Sequence, residues 1–284
     1  VPHRLLCVHP HPDDESIACG GLIARSVAAG HAVHVVTCTG GEQGENQSGI
    51  DLGGRDMGEV RHQEMAAAIT ALGGPRHHWL GYRDSGMVGE PGNDHPEAFH
   101  GAALDEAAGR LARIVRAVRP HVVVSDDEQG TYGHPDHVKA NRVTARAVEL
   151  AADPTWEPAG DPAWRVPKRY VHTLTRSRLF RVHRTMVDHG LATPFGDAAI
   201  AAPDDLEFGA PDDEVTTIVE VTEVLDHKRA AMADHRSQIG EDSFFLNTPD
   251  GLAEAVFGVE EFTLRDGELG ADRPELDVFA GLAP

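Results

Sequence analysis

The sequence predicts an α/β protein: a Rossmann-like, mainly parallel sheet with helices on both faces, followed by a smaller C-terminal α+β subdomain. Three observations carry that expectation. Short β-branched runs alternate with helical stretches through the first half of the chain. The runs are apolar throughout rather than at every second position, as in strands covered on both faces. A Pro-rich connector, DPTWEPAGDPAWRVPKR (153–169), then separates this rhythm from a different one. The expected division is a Rossmann-like core over 1–155 and a C-terminal subdomain over 156–284 that packs on it.

RLLCV (4–8) reads as a short buried strand, and residues 15–30 as the helix after it, with Gly30 just past its end. HAVHVVTCT (31–39) is a second β-branched run, closed by the Gly-rich loop GGEQGEN. Residues 55–72 are expected to be helical, HHWLG a short strand, and 102–118 an amphipathic helix. HVVVSDD (121–127) reads as another buried strand, followed by a loop and a helix near 135–152. Beyond the connector come a strand (170–175), a helix (177–189), the strand TTIVEV (216–221) and a helix to about Ser237. The last stretch, with FF, EEF and FAG among turns, reads as irregular packing against the core.

At 284 residues with 40% hydrophobic content, the chain can bury a sizeable core. Its net charge of −21 argues against nucleic-acid or anionic-membrane partners, which require a positive footprint. Three cysteines without CxxC spacing, Cys7, Cys19 and Cys38, suit a reduced interior better than a disulfide framework or thiolate zinc site. No apolar stretch approaches the roughly 18 residues of a membrane span, and VPHRLL lacks signal-peptide features. A cytoplasmic location is the expectation; oligomeric state is not legible.

A parallel sheet locates its site beyond the carboxyl ends of the strands, at the switch point. HPHPDDE (9–15) lies at the end of the first strand, and GTYGHPDH (130–137) beyond the strand at 121–125. Two His/Asp clusters far apart in sequence are therefore expected to meet. Zinc favours imidazole nitrogen and carboxylate oxygen with one open position. His11 and Asp14, three apart across a Pro-fixed turn, with His137 from the other loop, would supply such a set. Asp13, adjacent but free, would accept a proton from water of lowered pKa. Asp13, Asp14 or Ser16 could instead simply cap the helix, and His9 is expected to be a structural strand residue.

Other readings fit less well. A dinucleotide site needs GxGxxG in the first turn, where this chain places carboxylates that would repel a diphosphate. The run His9-x-His11-x-Asp13 begins like the HxHxDH of metallo-β-lactamases, but the next residue is Asp14. A barrel amidohydrolase would need eight βα units. A metal phosphoesterase would want further ligands or basic residues. A non-catalytic sugar binder would have no need of Asp13.

HPDDE after the first strand combined with TYGHPDH (131–137) resembles the PIG-L/LmbE family of zinc-dependent N-deacetylases. VVTCTGGEQGE (35–45), EVRHQEM (59–65), YRDSGM (82–87), HVVVSDDEQG (121–130) and DHRSQ (234–238) add to the likeness. Within the family it is nearest to the mycothiol-pathway members, a deacetylase and an S-conjugate amidase. The resemblance implies His11, Asp14 and His137 as ligands to one zinc ion and Asp13 as general base. It implies His134 and Tyr132 at the tetrahedral oxyanion, Asp136 as orienter of an imidazole, and Glu45, Arg61, Asp84 and Met87 as sugar contacts. From the residues alone, either histidine of HPDH could be the ligand. The implied substrate is a small glucosamine-containing glycoconjugate that loses its N-acyl group. Ala18, where the amidases carry lysine, and YRDSGM resemble the deacetylase, whereas IGEDSFF and ELDVFAG resemble the amidase. An antibiotic-pathway deacetylase is equally compatible.

Overall fold

In the computed structural model, residues 2–156, 160–191, 193, 195–196, 200–270 and 272–283 are described. The middle of the predicted connector, 157–159, lies outside them. The chain runs β1 (Arg4–His9), α1 (Asp14–Ala28), β2 (Ala32–Thr39), α2 (Met57–Ala71), β3 (Arg76–Tyr82), α3 (Leu104–Val118) and β4 (Val122–Ser125). A single turn, α4 (Gly130–Gly133), precedes α5 (Pro135–Ala152), β5 (Lys168–Thr173) and α6 (Arg176–Asp188). The order ends with β6 (Thr217–Glu220), α7 (Leu225–Asp234), α8 (Asp250–Phe257) and β7 (Val259–Asp266).

One seven-stranded sheet, in the order β3-β2-β1-β4-β5-β7-β6, takes strands from both halves of the chain. The five strands from β3 to β5 are parallel, whereas β7 pairs antiparallel with both β5 and β6. Alternate residues of one strand enter different cores. Leu5, Cys7, Val33, Val35, Val122 and Val124 pack with α1 and α2 on one face. Leu6, Val8, Val36, Cys38 and Val123 pack with α3 and α5 on the other. Two covered faces are why these strands are apolar throughout. All three cysteines are buried free thiols. Among the described residues no helix is long and apolar enough to cross a membrane.

The C-terminal stretch corrects the expectation of irregular packing, since it holds α8 and β7, and β7 lies between β5 and β6. Its strand signature is hidden by two adjacent acids, Glu260 and Glu261, which are nevertheless buried. Each is satisfied by a partner distant in sequence. Glu260 accepts from the amides of Gly21 and Leu22, both at 2.8 Å, and from Lys228 Nζ at 2.6 Å. Glu261 accepts from the Thr175 hydroxyl at 3.0 Å. The approach to α1 requires Gly21, where a Cβ would lie 2.5 Å from Val221 Cβ. Replacing Glu260 by alanine strands the Lys228 ammonium in the interior; urea unfolding is expected to register a loss of about 3 kcal/mol.

Candidate metal centre and active site

The chain places β1, β2 and β3 side by side, then crosses to the other edge of β1 for β4 and β5. The order therefore reverses at β1 and β4, where a crevice opens beyond the strand ends. Both His/Asp clusters lie there. The end of β2 grips the first loop, with the Thr39 amide and hydroxyl donating to Pro10 O at 2.9 and 3.0 Å. In the second cluster, His134 is the N-cap of α5 and Pro135 its first residue.

Asp14 Oδ2 is the focus of the first cluster. It accepts from the His11 amide at 2.9 Å and lies 3.4 Å from His11 Nδ1 and 3.6 Å from His137 Nε2. Two bonds of about 2.1 Å at a tetrahedral angle hold donor atoms about 3.4 Å apart. The far side of each ring is occupied by a carboxylate. His11 Nε2 meets Asp136 Oδ2 at 3.2 Å, and His137 Nδ1 meets Asp126 Oδ1 at 2.8 Å. Such contacts put the ring proton on the carboxylate side and leave the other nitrogen's lone pair free. His137 Nε2 is buried and has no hydrogen-bond partner among the described residues. The donor set therefore fits a divalent cation held by two imidazoles and one carboxylate. Donor atoms of His11, His134 and His137 lie within 4.8 Å of one another, as do those of His11, Asp84 and Asp136.

His134 is oriented differently. Its Nδ1 accepts from the Asp136 amide at 3.1 Å, so the proton is on Nε2. Burial, with His11 and His137 nearby, pushes its pKa down to about 4, leaving a neutral imidazole with one donor. Asp136 is fully buried and accepts from the Ser85 hydroxyl at 2.5 Å, the Ser85 amide at 2.9 Å and the His100 amide at 3.1 Å. Tyr132 is half exposed, its ring 5.3 Å from that of His137 and 6.2 Å from that of His134. Around it the backbone takes positive φ at Gly130, Thr131 and Gly133. At Thr131 this conformation is strained, as in many functional loops.

Asp13 occupies the N-cap of α1 without making a capping bond, and its φ of 113° is unusual for a residue with a side chain. Two contacts hold it. Its amide donates to Glu15 Oε2 at 3.0 Å, and its Oδ2 accepts from Arg61 Nη2 at 3.2 Å. Glu15 is in turn paired with His235 Nε2 at 2.8 Å, with both side chains fully buried. Burial raises the Asp13 carboxyl to about 6 against the opposing pull of Arg61. Burial also works against ionised Asp14, but the His137 and His11 imidazoles override it and hold that carboxyl far below its ordinary value.

The expected sugar contacts divide in two. Glu45 and Met87 are exposed. Arg61 and Asp84 are each only 4% exposed and are engaged by protein. Arg61 also donates to Gly41 O at 3.0 Å, and Asp84 accepts from the Gly86 amide at 2.9 Å and the Gln43 amide at 3.2 Å. His9 is buried at the end of β1, its ring among the Cys7 and Cys19 thiols. Sequence reasoning missed Asp126, Ser85 and the Glu15–His235 pair. Two consecutive acids after a buried strand, SDD, were the available signal for Asp126.

A doubly covered α/β sheet with an imidazole–carboxylate centre at its switch point defines a metal-dependent hydrolase class. The family model for PIG-L, described as GlcNAc-PI de-N-acetylase, matches residues 6–148. A relative from Thermobispora bispora, named 1D-myo-inositol 2-acetamido-2-deoxy-alpha-D-glucopyranoside deacetylase, is 44% identical over 98% of both chains. The chain belongs to the PIG-L family and is an amide-bond hydrolase, an N-deacetylase. Among solved structures, N,N'-diacetylchitobiose deacetylase of Pyrococcus horikoshii superposes with a TM-score of 0.58 at 22% identity, covering 92% of this chain and 83% of that one. The 4-carboxy-2-hydroxymuconate hydratase of Pseudomonas putida reaches 0.60 at 20% identity, covering 95% and 99%. These two likenesses concern the fold alone.

Proposed function

We propose that the protein is a zinc-dependent deacetylase of an N-acetylglucosaminyl-inositol, releasing acetate and the free amino sugar. The observation that carries this is the convergence of His11 Nδ1 and His137 Nε2 on Asp14 Oδ2 beside a strained, partly buried Asp13. High identity to an inositol-glycoside deacetylase over 98% of the chain favours acetyl over a bulkier cysteinyl conjugate as the group removed. His11, Asp14 and His137 would hold the ion, which when bound supplies Lewis acidity towards the carbonyl and lowers the pKa of water.

The chain's own groups account for the rest. Asp13, aimed by Arg61 and Glu15, accepts the proton of the attacking water. Neutral His134 donates its Nε2 proton toward the oxygen that gains charge, and the Tyr132 hydroxyl is a second donor on a half-exposed, strained turn. Asp136 and Asp126 fix the two ligand rings. Glu45 and Met87 line the mouth for the sugar, while Arg61 and Asp84 act through Asp13 and His11. Residues 156–284 supply His235 and one wall of the crevice.

Free-amine release by the zinc-loaded protein tests the proposal on N-acetylglucosaminyl-inositol, a mycothiol S-conjugate and methyl N-acetylglucosaminide. The inositol glycoside is expected to be the best substrate; no amine from any of the three sinks the reading.

A further inference from the structure

A cavity of about 430 Å³ opens beside Tyr132, between the turn after β4 and the 207–211 loop. The metal centre stands at the β1/β4 junction. Glu45 and Met87 follow β2 and β3 on one flank, and the cavity residues follow β4 and β5 on the other. A substrate whose amide meets Asp13 can therefore extend over both flanks, and of the second flank the mechanism above uses only Tyr132.

The lining shows what this flank would take. Asp127, Glu207 and Glu214 face it with Arg176 and Arg265, so carboxylates outnumber guanidinium groups. Arg265 is already engaged by Glu128 at 2.9 Å and Glu214 at 3.3 Å. Arg176 Nε is buried without a hydrogen-bond partner among the described residues. The Glu207 carboxylate and the Gln129 side-chain carboxamide form no hydrogen bond within the protein among the described residues. Phe208, braced by the Phe195 ring at 5.9 Å, adds an apolar surface. Uncommitted donors and acceptors around one aromatic face suit a ring bearing hydroxyls at its edge and C–H groups on its face. An acetyl group would leave these polar groups unpaired, and a phosphate would meet a surplus of negative charge.

We propose that this cavity is the aglycone subsite, that it takes a neutral cyclitol and disfavours a phosphorylated one, and that Arg176 and Glu207 determine this specificity. The proposal rests on the deacetylase reading for the position of the amide. It implies that the chain discriminates against phosphoinositide glycosides although its family is described by one.

The test compares kcat/KM for N-acetylglucosaminyl-inositol, its inositol-phosphate analogue and methyl N-acetylglucosaminide. Wild type, Arg176→Met and Glu207→Gln are measured, the last at an exposed position where folding is not at risk. Wild type is expected to favour the inositol glycoside over both others. Each substitution should lower the inositol-to-methyl ratio about tenfold, and Glu207→Gln should also improve the phosphorylated substrate relative to the neutral one. Ratios unchanged within about twofold overturn the subsite while leaving the deacetylase intact. Saturation-transfer NMR with free myo-inositol separates the remaining cases. A wild type that cleaves nothing yet binds inositol, with binding lost in Glu207→Gln, keeps the subsite and removes the deacetylase reading. Neither turnover nor inositol binding overturns both.

Discussion

Asp13→Ala is expected to bind metal as well as the wild type and to lose turnover by about 10³-fold or more, since a positioned general base contributes on the order of 10²–10⁴. The site is built to hold this one carboxylate. Its backbone is strained at a φ of 113°, Glu15 fixes its amide, and Arg61 fixes its side chain. A carboxylate that only capped α1 would accept a helix amide, and the Asp13 side chain accepts none there. Metal content by mass spectrometry and steady-state amine release decide the matter together, and an active, metal-replete Asp13→Ala enzyme refutes the mechanism. The pH profile adds a sign. A base works deprotonated, so kcat/KM should fall as pH drops through the Asp13 pKa, which burial lifts to about 6 against Arg61. A bound cation can only lower that limb. Arg61→Met removes the opposing charge and should move the limb to higher pH.

The second large effect is expected at His137. Its Nε2 is buried and unpartnered, so the ring has no structural bond on that side to lose. His137→Ala should abolish metal binding at micromolar concentrations and amine release with it, while the fold persists in far-UV circular dichroism. Asp126→Asn supplies the graded comparison. It keeps a contact to Nδ1 but loses the charge that raises ring basicity, so metal affinity should weaken about 10- to 100-fold without being abolished. Equal metal content in wild type and His137→Ala, measured after dialysis against a weak chelator, would remove His137 from the ligand set.

Much of the fold was legible because the βα rhythm is local. A strand buried on both faces needs a run of apolar residues, and RLLCV, VHVVTCT and HVVV are such runs. β7 was not legible because Glu260 and Glu261 stand near its start, and their burial depends on Lys228, Thr175 and the amides of α1. The site divides in the same way. HPHPDDE and GHPDH announce metal-type chemistry by residue type and by their places at strand ends. The assignment of His134 and His137 could not be made from GHPDH, where the two are chemically equivalent.

By itself, then, the sequence determined the parallel α/β class, the strand ends at which chemistry collects, and the pool of imidazoles and carboxylates available there. Only the tertiary structure decided which nitrogen of each ring stays free. Asp126 claims His137 Nδ1, Asp136 claims His11 Nε2, and a backbone amide claims His134 Nδ1. It also committed Arg61 to Asp13 and joined Glu15 to His235, 220 residues away. The physical reason is that periodicity and residue type act over a few positions. Protonation and hydrogen-bond commitment are set by whatever partner the fold brings within about 3 Å, at any separation in the chain.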